Sequence, residues 1–148
     1  MTWLDDRLYR QIVAEAPDAV ICADRDGVIR LWNRGAEMMF GFAAAEALGR
    51  TLDLIIPAKL RERHWQGYRQ VMATGRTRYG RELLAVPGMH RDGRTLSLEF
   101  SISLIRDDRG EVLGAAAILR DVTARREKEK ELRRRLAACE AGAAAPKA

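Results

Sequence analysis

Within residues 94–105, "RTLSLEFSISLI", apolar and polar side chains alternate over the nine positions 96–104. The apolar members are Leu96, Leu98, Phe100, Ile102 and Leu104, and the polar members between them are Ser97, Glu99, Ser101 and Ser103. Because successive side chains of a strand point to opposite faces of a sheet, this pattern predicts a strand with one buried and one polar face.

Four other segments predict strands that could pair with it. Residues 18–33, "DAVICADRDGVIRLWN", form two apolar runs around the turn "DRDG" and predict a hairpin. Residues 78–89 predict a strand that contains Pro87 and therefore lies at an edge or carries a bulge. Residues 112–122 predict the last strand. Two strands followed by three, with helices between them, indicate an α+β domain with one antiparallel sheet covered on one face.

Helical patterns divide the chain around this sheet. Residues 1–14 predict a flanking helix, 15–122 the domain itself, 123–140 a charged exit helix, and 141–148 a disordered tail. Asn33 is placed to cap the short helix that follows the hairpin.

The longer internal helix, predicted over residues 58–73, presents one stripe to the interior. Leu60, His64, Tyr68 and Val71 recur at helical spacing, whereas the other positions are mostly charged or polar. A histidine in this stripe has two interpretations: it is a core imidazole with its hydrogen bonds satisfied, or it faces a cavity and binds something there.

Composition excludes several classes of function. The 148 residues carry a net charge of +5, but basic and acidic residues alternate along most of the chain, so we expect neither nucleic-acid binding nor membrane association. The two cysteines, Cys22 and Cys139, are not spaced as a metal site and are expected to be reduced thiols of a cytoplasmic protein. No catalytic residues are predicted, because the chain lacks a GxSxG or phosphate-loop motif.

The segments "APDAVICADRDGVIRLWNRGAEMMFGF", "EALGRTLDLIIP", "RDGRTLSLEFSIS" and "GAAAILRDVTARR" together resemble the PAS domain family, in particular its bacterial S-box members. The resemblance implies a five-stranded antiparallel sheet flanked by short helices. It also implies a sensory role, with a ligand pocket between sheet and helices and an output through the C-terminal helix. Asp121 and Thr123, in "DVT", resemble the family's junction between the last strand and that helix.

A weaker resemblance concerns haem-binding oxygen sensors of this family, which carry an axial histidine on the long helix. His64 lies seven residues after Pro57 and 28 before Asp92, and both intervals match those sensors. Two positions differ. Tyr68 follows His64 by four residues rather than three, and Leu84 stands where those sensors often have an arginine, with Arg81 nearby.

The cofactor therefore stays open, and haem and flavin are the candidates. The pocket implied by the resemblance would be lined by His64, Trp65, Tyr68, Leu84, Phe100 and Ile102. Cysteinyl-flavin photochemistry is not expected, because residues 49–57 contain no cysteine; a non-covalent flavin could stack on Trp32 or Trp65.

The expected partner is a second copy, a histidine kinase or a response regulator. The alternative is a ligand-free dimerisation module. Its interior would be filled by Met38, Met39, Phe40 and Trp65, and its flanking helices, residues 2–14 and 123–138, would form the interface.

Overall fold

A computed structural model of the chain describes residues 5–78, 80 and 82–144. Its five strands are β1 (Ala19–Asp24), β2 (Ile29–Trp32), β3 (Leu84–Met89), β4 (Thr95–Arg106) and β5 (Val112–Asp121). They form one antiparallel sheet in the order β2-β1-β5-β4-β3. The α+β class and the five-stranded antiparallel sheet predicted from the sequence are confirmed.

The helices are α1 (Asp6–Glu15), α2 (Arg34–Phe40), α3 (Ala44–Ala47), α4 (Arg61–Thr74) and α5 (Thr123–Ala144). Two short 3₁₀ turns, Leu52–Leu54 and Ala58–Leu60, precede α4. No helix within the described part of the chain is both long and apolar enough to cross a membrane.

Several predicted boundaries were wrong. The long helix begins at Arg61 rather than at residue 58, because the residues after Pro57 form a 3₁₀ turn. The first helix begins at Asp6, since the Asp5 side chain caps it by accepting a hydrogen bond from the Leu8 amide at 2.9 Å; residues 1–4 lie outside the described residues. Strand β3 begins at Leu84, and residues 79 and 81 of its predicted span are likewise outside.

The predicted disordered tail is helical in its described part. Helix α5 continues to Ala144, and residues 145–148 are not described. From residue 124 to residue 143 every residue of α5 is exposed except the half-buried Glu131. The helix therefore extends from the domain with little packing of its own.

The hydrophobic core lies between the sheet and the short helices α2 and α3. Phe40 on α2 and Ile29 on β2 are completely buried, and Trp32 packs on Phe40 with ring centroids 5.5 Å apart. Leu98 on β4 and Leu119 on β5 belong to the same core. Burying such side chains stabilises the fold by about 1.5–3 kcal/mol each. The face of the sheet that points toward this core is called the inner face, and the opposite one the outer face.

Asn33 is the one polar residue buried in the core, within the described part of the chain, and its amide joins three segments. Its side-chain oxygen accepts hydrogen bonds from the amides of Val20 at 2.8 Å and Ala36 at 3.0 Å. The same oxygen atom thus binds β1 and caps α2. Its nitrogen donates to the carbonyl oxygens of Val13, Ala16 and Asp18, at 2.9, 3.3 and 3.1 Å, which fixes the segment between α1 and β1.

Gly35 allows this close approach. A Cβ atom at residue 35 would lie 2.2 Å from the Asp18 carbonyl oxygen, a distance that real Cβ atoms do not adopt. The first turn of α2 can therefore contact the backbone before β1 only because residue 35 has no side chain.

Replacing Asn33 with alanine is expected to lower the free energy of unfolding by about 3 kcal/mol or more. The change removes a helix cap, worth about 1 kcal/mol, and leaves several buried backbone groups without partners. Urea denaturation followed by circular dichroism measures the loss. The control Arg34→Ala alters the exposed neighbour and should change stability by less than about 0.5 kcal/mol. Equal stability of the two variants would contradict the role assigned to Asn33.

Candidate functional site

The inner face of β4 changes from packed to open along its length. Leu96 and Leu98 are each 3% exposed, whereas Phe100, Ile102 and Leu104 further along the same face are half-buried. The first pair belongs to the same buried cluster as Phe40 of α2 and Ala47 of α3. Phe100 still packs against the core cluster, so it is from Ile102 onward that the inner face keeps apolar surface that the core does not cover.

Small residues stand beside this open stretch. The register places Ile102 opposite Ala117 and Leu104 opposite Ala115 on β5, and Ala115 opposite Ala23 on β1. Directly paired residues share a face, so three alanines form the floor next to the larger β4 side chains. We call this partly uncovered apolar stretch the inner-face hollow and define it as Ala23, Ala115, Ala117, Ile102 and Leu104.

Helix α4 is attached beside this hollow through two aromatic residues. The Tyr68 hydroxyl donates to the carbonyl oxygens of Asp24 at 2.5 Å and Ala23 at 3.3 Å, which lie at the end of β1. The Trp65 indole N–H donates to the Asp53 carboxylate at 2.8 Å. Since Ala23 belongs to the floor of the hollow, Tyr68 places α4 at its border.

The Trp65 indole packs on the backbone of Gly27. Gly27 lies in the β1–β2 turn with φ of +76°, and a Cβ atom there would stand 2.1 Å from the indole ring. The glycine therefore serves both the turn and the packing of the indole on its backbone.

Two arginines attach the C-terminal end of α4. Arg25 donates to the carbonyl oxygens of Val112 at 2.7 Å and Met72 at 3.3 Å, and Arg106 donates to that of Gly75 at 2.6 Å. A helix leaves its last carbonyl groups without intrahelical partners, and these guanidinium groups satisfy two of them. Polar anchors, rather than a packed apolar face, thus position much of α4.

His64 lies within an aromatic cluster on the half-buried side of α4. Its ring centroid is 4.8 Å from that of Trp65 and 5.7 Å from that of Tyr68. The Nδ1 atom is buried and has no hydrogen-bond partner among the described residues. Burial lowers the pKa of this imidazole below its usual value of 6.5, partly opposed by the charge of Asp53, so the neutral form is favoured.

Tyr68 keeps its proton for a related reason. Burial raises the pKa of its phenol to about 12, and the nearby carboxylates of Asp24 and Asp26 add to this effect. The hydroxyl is therefore a permanent donor to the β1 carbonyls at neutral pH. The Tyr68 phenol therefore offers no acid–base chemistry near pH 7, and His64 offers only its neutral imidazole.

The other residues predicted to line a pocket lie on the sheet. Phe100 and Ile102 are on the inner face of β4, and Leu84 stands opposite Phe100 on the edge strand β3, half-buried. The predicted set therefore forms two groups: His64, Trp65 and Tyr68 on α4, and Leu84, Phe100 and Ile102 on the sheet. Arg81, considered beside Leu84, lies outside the described residues.

Met38 departs from its predicted position, and the structure also locates Trp32 and Cys22. Met38 is 73% exposed, so it does not fill the interior; only Met39 and Phe40 of that run contact the core. Trp32 is buried against Phe40 and donates to the Phe42 carbonyl, so it is not free to stack on a flavin. Cys22 alternates with the core residues of β1 and so faces the opposite side of the sheet, where burial raises the pKa of its thiol.

Asp121 and Thr123 meet where the last strand becomes α5. One Asp121 carboxylate oxygen accepts hydrogen bonds from the Thr123 amide, at 2.9 Å, and from its hydroxyl. The same hydroxyl oxygen accepts from the Ser97 amide of β4 at 2.9 Å, and the Val122 amide donates to the Ser97 carbonyl at 2.8 Å. The first turn of α5 is thereby joined to both β4 and β5.

Sequence reasoning missed Gly27, Asp53 and Arg25, which hold α4 in place. Gly27 was interpreted as a turn residue alone. Contacts across tens of residues, such as the one between Arg25 and Met72, leave no local pattern in the sequence. Only the pairing of Trp65 with a carboxylate could have been suspected, since a buried indole N–H normally finds an acceptor.

Comparison with known proteins gives a consistent result. A family model described as the PAS fold matches residues 13–127. Sensor protein FixL of Bradyrhizobium diazoefficiens is 34% identical over 96 residues, which cover 63% of this chain and 18% of FixL. The signal transduction histidine-protein kinase AtoS of Escherichia coli is 34% identical over 125 residues, which cover 82% of this chain and 19% of AtoS.

A solved structure agrees with the fold. The PAS domain of a protein from Colwellia psychrerythraea superposes with a TM-score of 0.69 at 21% identity, covering 80% of this chain and 97% of that one. The chain spans less than a fifth of the length of the two curated relatives named above.

The imidazole of His64 is expected to titrate below pH 6.5, because burial disfavours its charged form. The unfolded chain then binds a proton before the folded one does, so this residue lowers stability as the pH falls below about 6.5. Proton NMR of the imidazole C–H signals measures the midpoint, and the chain has only two histidines. The signal absent in His64→Gln identifies the residue; a midpoint at or above 6.5 would contradict its burial.

Proposed function

The chain belongs to the PAS fold family, and we propose that it is a sensory domain that binds a small ligand in the inner-face hollow. In this proposal α5 passes the signal to a second copy or to a partner signalling protein. Two observations carry the proposal: the partly uncovered inner face from Ile102 to Leu104, and a buried imidazole nitrogen of His64 that has no partner among the described residues.

The chemistry of the hollow favours a largely apolar ligand. Its described lining consists of alanine, isoleucine and leucine side chains from three adjacent strands. An apolar site with a few polar groups at its border is typical of small-molecule pockets. At that border the neutral imidazole of His64 can form one directional hydrogen bond or bind a metal.

Haem is the cofactor candidate that these residues fit best. His64 supplies a neutral imidazole whose buried Nδ1 has no partner among the described residues, so one ring nitrogen is free to bind iron, and Phe100, Ile102 and Leu104 supply apolar surface. Haem would contribute an iron that binds diatomic gases or changes its oxidation state. A non-covalent flavin is the lesser candidate, since Trp65 already donates to Asp53 and Cys22 faces the other side of the sheet.

The proposed output path leads from the hollow to α5 along β4. Ile102 and Phe100 pair with Ala117 and Leu119, and Ser97, the residue before Leu98, donates its amide to the Thr123 hydroxyl oxygen. A ligand that shifts the inner face of β4 would therefore alter the bonds at the junction of Asp121 and Thr123. A bound ligand can shift the equilibrium between two positions of α5 only by the difference in its binding free energy for those two positions.

Relatives suggest the kind of partner. FixL and AtoS are, by name, a sensor protein and a histidine-protein kinase. We therefore propose that α5 acts on a histidine kinase, a response regulator or a second copy of this chain. The site of action would be the cytoplasm, where such partners receive signals.

A ligand-free interaction module is the second candidate, and exposed apolar residues favour it. Tyr9 and Ile12 on α1 are 55% and 58% exposed, and Leu132 and Leu136 on α5 are similarly uncovered. An open cleft of about 560 Å³ also lies between α1 and β2. In this alternative the flanking helices bind a second copy, and the molecular mass in solution would double with concentration whether or not a ligand is present.

Haemin titrated into the purified protein is expected to give a Soret band shifted from that of free haemin at one equivalent. His64→Ala should abolish the shift, because it removes the proposed iron ligand. His90→Ala should retain it, since His90 lies in the turn after β3, against Gly41. A spectrum of His64→Ala equal to that of the unmodified protein would rule out His64 as the ligand, and no shift in any protein would rule out haem.

Removing the Thr123 hydroxyl is expected to loosen α5. Thr123→Val preserves the shape of the side chain but leaves the Ser97 amide without its acceptor. An unpaired buried donor lowers stability by about 1–3 kcal/mol, and the loss is smaller here because Thr123 is half-buried. Amide hydrogen exchange of residues 123–130 should accelerate in Thr123→Val and in Asp121→Ala, but not in Thr123→Ser. Unchanged protection in the first two variants would contradict the proposed coupling.

A further inference from the structure

The domain's entrance and exit lie at the same end of the sheet. The chain leaves α1 at Glu15 and enters β1 at Ala19, and Ala19 pairs with Leu119 near the end of β5. Helix α5 starts four residues after Leu119. The segments that lead from α1 and into α5 therefore lie close together at this end of the sheet.

Four charged residues of alternating sign cross the outer face at this end, and we call them the outer-face charge line: Asp18, Arg120, Glu99 and Arg125. Arg120 binds Asp18 through two hydrogen bonds, of 3.1 and 2.9 Å. Glu99 stands directly opposite Arg120 in the β4–β5 register. Arg125, in the first turn of α5, forms an ion pair with Glu99.

Arg120 and Glu99, the two middle residues of the line, each have a neighbour of opposite charge on both sides. The pKa of Arg120 is raised, chiefly by its hydrogen bonds to Asp18 and their charge and in smaller part by Glu99. The Glu99 side chain is 24% exposed, so solvent screens it less than a free surface carboxylate. Arg125 also lies 3.6 Å from Glu129 one turn further along α5.

We propose that the outer-face charge line sets the direction of α5 and couples it to the segment that enters the domain, so that α1 and α5 change position together. The proposal goes beyond ligand binding and rests on the proposed output role of α5 only for its biological meaning. It requires no ligand, because all four residues interact in the protein alone.

The weak packing of α5 makes such a tie effective. Beyond Thr123, the described side chains of α5 are exposed apart from Glu131, so few contacts determine where the helix points. An exposed ion pair shifts an equilibrium by a factor of only about two to five. For a packed helix this would be negligible, but for a helix without a packed face it changes which orientation is populated most.

The other end of the line reaches the Asn33 amide. Asp18 supplies its carboxylate to Arg120 and its backbone carbonyl to Asn33, whose amide also bonds to the end of α1. A change in Arg120 or Glu99 is thereby transmitted to the backbone that connects α1 with β1.

Charge reversal tests the proposal through hydrogen exchange of residues 123–130 and 6–15 in the intact, ligand-free chain. Arg125→Glu should accelerate exchange in both segments by about threefold or more. All variants of residue 125 are compared in a Glu129→Gln background, because Arg125→Glu would otherwise place two carboxylates one turn apart on α5. In that background the direction is diagnostic, since an acidic residue in the first turn of a helix would by itself stabilise α5 through the helix dipole. Slower or unchanged exchange in residues 123–130 would therefore overturn the proposal.

A variant with all four charges inverted restores the alternation: Asp18→Arg, Glu99→Arg, Arg120→Glu and Arg125→Glu. It should return exchange to within about twofold of the parent protein, and a failure to do so, with urea stability unchanged, would overturn the tie. Glu131→Gln is the matched control, because Glu131 pairs only with Arg134 and Arg135 of α5 among the described residues and should leave residues 123–130 unchanged. Thr123→Val separates the two proposals, since it breaks the junction but leaves the charge line intact.

Discussion

The buried amide of Asn33 is the interaction on which the rest of the structure depends. One side chain satisfies backbone groups of β1, of α2 and of the stretch from the end of α1 to β1, up to 20 residues from Asn33 along the chain. Burying an amide costs free energy unless its hydrogen bonds are formed, so the three segments must be in place together. This requirement brings α2 over the sheet and seats Phe40 in the core.

The position of α2 divides the inner face of the sheet into two parts with different properties. Beneath α2 and α3 the apolar side chains interdigitate, and this part carries most of the stability. Beyond Leu98, α4 is held by hydrogen bonds from Tyr68, Trp65 and Arg106 to backbone and carboxylate groups, and the alanines of β5 leave space. A helix attached by a few polar anchors over apolar surface can move without unfolding the core, which a sensory domain requires.

Local patterns in the sequence predicted the strands, the capping role of Asn33 and the half-buried position of His64, because these depend on neighbours within one or two turns. The sequence did not reveal the hydrogen bonds that Asn33 donates to Val13 and Ala16, or the charge line, since these pairs lie 17–102 residues apart. Met38 was misplaced because both methionines of its run are apolar, and only the packing of Ala36 and Phe40 shows which side of α2 faces the core.

The proposed sensory function requires an apolar hollow on the inner face of the sheet. Methyl NMR spectra of alanine-labelled protein under xenon pressure test this directly, because xenon enters apolar spaces whatever the natural ligand is. The account predicts that the methyl signals of Ala115 and Ala117 shift while those of Ala36 and Ala47, buried in the packed core, do not. Equal shifts at all four methyls, or shifts confined to Ala36 and Ala47, would contradict it.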